Sequence, residues 1–146
     1  MTEPTSRQSL ADAVAAEHLA LRAEIRRLNR DLDELQDGLS GEPIRQKLLA
    51  DLRGFRAHLQ RHFQLEERNG YVGGATVDDP GTVREVADLV GEHRRFELDT
   101  QDLIERLAEA AAGRGELAGT FETELRTLLG RLAIHESKED ALSSNG

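Results

Sequence analysis

Four stretches of this chain place apolar residues at alternating spacings of four and three, and that period dictates what the chain can fold into. The first runs from about Leu10 to Asp37, with Val14, His18, Leu21, Ile25, Leu28, Leu32 and Leu35 on one stripe. The second, about Glu42 to Glu67, carries Leu48, Leu52, Phe55, Leu59, His62 and Glu66. The third, about Thr82 to Ala112, carries Val86, Val90, His93, Glu97, Thr100, Ile104 and Leu107. The fourth, about Glu116 to Ala141, carries Phe121, Leu125, Leu128, Leu132, His135 and Glu139, with Leu142 just beyond. Such a stripe follows one side of an α-helix, and the helix must bury it against neighbours. The punctuation agrees. Ser9 is an N-cap with Asp12 three residues on, Gly38 and Gly41 stop the first helix, and Pro43 falls in the first turn of the second. Thr82 and Glu85 form a capping box, and "GRG" at 113–115 breaks the third helix. Short links between the first and second segments, and between the third and fourth, make antiparallel neighbours. The fold read from this is all-α, an up-down-up-down antiparallel four-helix bundle.

Composition narrows the chemistry. The 146 residues suit one domain: a bundle over 9–142, a flexible N-terminus at 1–8 and a frayed tail at 143–146. With 3 prolines and 3% aromatic residues, the chain is built from strong helix formers. It has no cysteine, which excludes disulfides, thiolate zinc sites, iron–sulfur clusters and cysteine nucleophiles. A net charge of −9 argues against nucleic acid or an anionic membrane as partner. No apolar run approaches the roughly 20 residues of a membrane span. "MTEPTSRQSL" lacks the basic and apolar regions of a secretory signal, so a cytoplasmic protein is expected.

Near one end of each helix the stripe turns polar. His18, His62, Glu66, His93, Glu97, His135 and Glu139 sit where the core belongs. Unpartnered, each would cost several kcal/mol to bury. In an up-down-up-down bundle the four histidines fall within about 9 Å of one level. A lone histidine on an apolar stripe is usually a hydrogen-bonded core residue. Four at matched depth, one per helix and three of them followed by Glu at i+4, point instead to a metal layer. A His and a Glu one turn apart can grip one ion, or the Glu can bridge two. Imidazole with carboxylate suits Fe, Mn or Zn better than Cu(I) or Ca. The order, His before Glu at i+4, differs from the Glu-x-x-His signature of ferritin-like bundles.

"EHLALRAEI", "HLQRHFQLEE", "EHRRFELD" and "HESKED" together resemble the hemerythrin-like (HHE cation-binding) domain family. The likeness extends from His18 to Asp140. It implies a four-helix bundle holding two Fe ions in a carboxylate-bridged, non-haem di-iron centre. Members of that family carry or store oxygen, sense oxygen or iron, respond to nitric oxide or peroxide, or repair iron–sulfur centres. Carried over position by position, His18 and His62 bind one iron, and His93 and His135 bind the other. Glu66 and Glu139 bridge the two. Members ending H-x4-D would use Asp140 instead, but the stripe favours Glu139. Oxygen carriers of the family have a second histidine in the third helix where this chain has Glu97. Lying on the stripe, Glu97 is a possible further ligand, or a hydrogen-bond partner to a ligand or bound water. A carboxylate there lowers the redox potential and opens a coordination position, which favours turnover or sensing over oxygen carriage. His58, one turn deeper than His62, is either a partly exposed histidine beside the core or the imidazole the third helix lacks. Glu67 reads as solvated and Tyr71 as a loop-packing residue.

The function expected is to bind, sense or reduce a small oxidant: oxygen, peroxide or nitric oxide. An apolar belt of Val14, Phe55, Leu59, Val90, Phe96 and Leu132 would keep water out. Two alternatives stand. One is an iron- or oxygen-responsive regulatory module without turnover, whose output needs a separate protein partner. The other is a metal-free structural bundle with a polar histidine layer.

Overall fold

Each apolar stripe becomes a long helix. The computed structural model describes residues 2–37, 41–67 and 80–145; at 2–11, 37, 41–42, 80–83, 85–86 and 140–145 it describes the backbone alone. The helices are α1 (Thr2–Asp37), α2 (Gly41–Glu67), α3 (Pro80–Ala111) and α4 (Phe121–Asn145). Helix α1 packs on α2 and α4, and α3 packs on the same two, while the pairs α1/α3 and α2/α4 lie diagonally apart. Along α1 from Glu24 to Asp31, the partners on α2 fall from His58 to Lys47, so these neighbours run antiparallel. Along α3 from Asp99 to Arg106, the partners on α4 fall from Arg131 to Glu124, and this pair is antiparallel too. The fold is an all-α four-helix bundle. Among the described residues, no helix is long and apolar enough to cross a membrane.

The end of the bundle away from the histidines is mainly a hydrocarbon core, with one buried acid, Asp31. Leu28, Leu32, Leu48, Leu52, Leu107, Leu125 and Leu129 are buried there with Phe55 and Phe121. Burying each such side chain contributes about 1.5–3 kcal/mol. This half holds the helices in register and leaves the other half free to carry polar groups.

The boundaries differ from the sequence reading in instructive places. Helix α1 begins at Thr2 rather than Leu10, so it takes in most of the segment expected to be a flexible N-terminus. Pro4 then lies in the first turn, where its missing N–H is not needed. Helix α4 runs on to Asn145, through the expected frayed tail. It begins at Phe121 rather than Glu116, because Thr120 is its cap. The Thr120 carbonyl accepts the Glu124 N–H at 2.9 Å, and its hydroxyl donates to Glu124 Oε2 at 3.1 Å. Helix α3 ends in a Schellman motif. The Arg114 N–H reaches the Glu109 carbonyl at 2.9 Å and the Gly113 N–H reaches Ala110 at 3.1 Å. Gly113 takes φ +76°, a conformation that strains any residue with a Cβ.

The stripe of α3 departs from the sequence reading at two positions. His93, Thr100, Ile104 and Leu107 are buried as expected, and Leu89, Phe96 and Leu103 are buried beside them. Val90 and Glu97 are only half-buried. Leu89 and Phe96 take the inward places because they fill the space between helices. The Thr100 hydroxyl donates back to the Phe96 carbonyl at 2.6 Å and so needs no other partner.

Candidate metal centre

Every helix delivers one histidine to a single buried layer. His18, His62, His93 and His135 are each no more than 2% exposed, and Glu66 and Glu139 are fully buried. Helical spacing produces this. His62 and Glu66 lie four apart on α2, and His135 and Glu139 four apart on α4, so each pair projects from one face. The imidazoles meet in two edge-to-face pairs, His18 with His62 and His93 with His135, each with ring centres 4.9 Å apart.

All four Nε2 atoms turn toward the two carboxylates. His18 Nε2 lies 3.2 Å from Glu139 Oε1 and 3.8 Å from Glu66 Oε2. His62 Nε2 lies 3.4 Å from Glu66 Oε1. His93 Nε2 is 3.3 Å from Glu66 Oε1 and 3.4 Å from Glu139 Oε2. His135 Nε2 is 3.2 Å from Glu139 Oε2 and 3.0 Å from His93 Nε2. Two groups of candidate metal-holding residues result: His18, His62, Glu66 and Glu139, then Glu66, His93, His135 and Glu139, with the candidate ligand atoms of each group within 4.8 Å of one another. Glu66 and Glu139 belong to both.

The donor set fits a pair of cations. With metal–ligand bonds of about 2.1 Å, neighbouring donors around one ion stand about 3 Å apart. Both oxygens of Glu66 and both nitrogens of His62 are buried without a hydrogen bond. Hydrogen-bonded burial is the rule for such groups, and a carboxylate with no donor is costly. Imidazole lone pairs and carboxylate oxygens aimed at one another share a need for positive charge.

Protons partly meet that need in the metal-free chain. Burial pulls the His18 and His93 pKa values down, but Glu139 and Glu66 outweigh it and raise both to about 10. Burial, and then the charge of His18, lowers His62 to about 3, so His62 is a neutral, ready donor. Burial raises Glu66, and the Glu139 charge adds to the rise. Burial acts on Glu139 too, yet His135, His18 and His93 override it and hold Glu139 well below the usual carboxylate range. Cations entering this layer would displace protons.

The model of the family described as hemerythrin HHE cation binding domain matches residues 9–142. The chain belongs to that family. No match was found among curated proteins or among solved structures. In this hemerythrin-family chain the cation-binding description meets a layer of His and Glu side chains able to hold metal.

Of the three further positions marked in the sequence, two stand outside both groups. Glu97 is half-buried and outside both groups. His58 is also outside them. Two carboxylates of α1 clamp it: Glu24 at 3.0 Å from Nδ1, and Glu17 on Nε2. The side chain of Asp140 lies outside the described ones, as does Tyr71 altogether. Of the expected apolar belt, Val14, Phe55, Leu59, Phe96 and Leu132 are buried, and Val90 is half-buried. Phe63 joins them and stacks on the His93 ring at 3.9 Å, nearly parallel at 6°.

The sequence reading missed the outer carboxylates. Glu67, taken as solvated, accepts from His93 Nδ1 at 2.6 Å while its side chain stays 40% exposed. Glu92 accepts from His135 Nδ1 at 2.7 Å. Glu136, next to His135, is buried and has Arg22 Nε at 4.0 Å. The one available signal was adjacency, since Glu67 follows Glu66, Glu92 precedes His93 and Glu136 follows His135.

Proposed function

We propose that this protein is a non-haem di-iron protein that binds or reduces a small oxidant: oxygen, peroxide or nitric oxide. The observation that carries the proposal is the pair of four-residue groups sharing Glu66 and Glu139, with buried oxygens and nitrogens that lack hydrogen bonds. In this reading His18 and His62 would hold one iron and His93 and His135 the other, with Glu66 and Glu139 shared by both groups. Iron is chosen because mixed imidazole and carboxylate donors suit it and because it changes oxidation state. When bound, two adjacent irons would supply electrons to a small oxidant as they pass from ferrous to ferric.

The chain's own residues do the rest. Neutral His62 donates without first losing a proton. Phe63 and Phe96 pack against His93 and His135 and exclude bulk water. The half-buried Glu97 leaves the third helix with one inward imidazole, His93, so the second iron has fewer protein donors than in an oxygen carrier. That favours reaction over reversible carriage. The test is to load metal-free protein anaerobically with Fe(II), then expose it separately to oxygen, peroxide and nitric oxide while recording absorption. New near-ultraviolet bands on oxidation, absent in His62→Ala, support the proposal. An unchanged spectrum with all three oxidants would contradict it.

A further inference from the structure

The two halves of the metal layer are built alike on the inside, and on the outside they differ at His62. On the α3–α4 half, both imidazoles give Nδ1 to a carboxylate of the preceding helix. Glu67 of α2 takes His93 at 2.6 Å, and Glu92 of α3 takes His135 at 2.7 Å. Aromatic rings fix both imidazoles as well. Phe63 stacks on His93, and Phe96 meets His135 edge-on with ring centres 5.4 Å apart. On the α1–α2 half, Nδ1 of His62 is buried with no hydrogen-bond partner. A carboxylate behind a ligating imidazole fixes its tautomer and raises its basicity. An imidazole without one is the weaker donor, and its N–H bears a desolvation penalty.

We infer that Glu67 and Glu92 are positioning residues that make the His93–His135 half the tighter metal position, so the two ions load in order, the α3–α4 half first. This rests on the metal reading above and adds an asymmetry that the symmetric inner donors do not suggest. Lys138, whose Nζ lies 3.7 Å from Glu92 Oε2, shares that carboxylate and moderates its pull on His135. The order matters for reactivity: at limiting metal the chain holds one ion in the buttressed half, and the second ion, held by His18 and His62, completes the pair.

The test uses the full chain, metal-free, with nitrogen-labelled histidine and Zn(II) as a redox-silent probe. Histidine resonances assigned by residue report which imidazoles bind at each step. The expected result is that the first equivalent moves His93 and His135 while His18 and His62 keep their metal-free signals, and the second equivalent moves those. In the double variant Glu67→Gln, Glu92→Gln, first-step affinity falls about 10-fold or more and the order is lost. Glutamine keeps an oxygen acceptor at each place, so the imidazoles stay hydrogen-bonded, and the metal-free melting temperature serves as the control for folding. Simultaneous filling in the wild type, filling of the α1–α2 half first, or an unaltered order in the double variant would overturn the inference and leave the metal reading standing. No Zn(II)-dependent shift in any histidine would overturn both.

Discussion

At the scale of single residues, His62 is where the metal reading can be tested most sharply. Its imidazole is 1% exposed and neither nitrogen has a hydrogen bond. A polar layer kept for stability would not contain such a group, because an unsatisfied buried polar group costs about 1–3 kcal/mol. His62→Leu is therefore expected to raise the melting temperature of the metal-free protein while removing most bound metal. Calorimetry and metal analysis on the same sample check both halves, and a lower melting temperature without metal would show that His62 supports the fold. Asp31 gives a second residue-scale prediction. It is fully buried beside Lys47 and Asp51, and burial, then Asp51, raises its pKa from 3.8 to about 6. The folded state thus holds the proton more tightly than the unfolded one. Stability falls as pH rises from about 4 to about 6 and is flat above, as far as Asp31 contributes. Asp31→Asn should raise the melting temperature at neutral pH by about 2–4 °C, the shift expected of about 1 kcal/mol. The gain should vanish near pH 4. A gain that persists at pH 4 would assign the effect to something other than charge.

At the scale of elements, the helices were legible in the sequence, and their ends and rotations less so. The four stripes were visible because burial forces the period, and His18, His62, Glu66, His93, His135 and Glu139 stand on them. Helix α3 was read a position off at Val90 and Glu97. There, apolar Leu89 and Val90 are adjacent, as are Phe96 and Glu97, and period alone does not choose between them. Packing against α2 and α4 does. The outer acids Glu67 and Glu92 were illegible for a different reason. An acid at the rim of a helix looks solvated in sequence, and only the cross-helix distance reveals its histidine. Caps were legible in part: the Gly113 stop was seen, and the Thr120 start was not. Gly113→Ala should destabilise the protein by about 1 kcal/mol, since the Schellman turn needs a left-handed residue there. Chemical denaturation measures it, and an unchanged midpoint would mean that the α3 end rearranges without cost.

For the whole molecule, stability and chemistry are divided between the two ends of one bundle. The leucine end supplies apolar burial, and the histidine end gathers charge that the leucine end must hold in place. Leu107, fully buried in the leucine end, tests that division. Leu107→Ala should cost about 2–5 kcal/mol yet leave metal stoichiometry unchanged in the folded fraction. Binding of metal to the folded state alone should in turn raise the melting temperature, and a chelator should reverse the rise. The most direct test of the central claim is iron per chain after anaerobic reconstitution with Fe(II) and desalting. The account predicts about two irons per chain in the wild type and a loss of more than half in His62→Ala. A wild-type chain that retains no iron, with a melting temperature indifferent to metal and chelator, would contradict it.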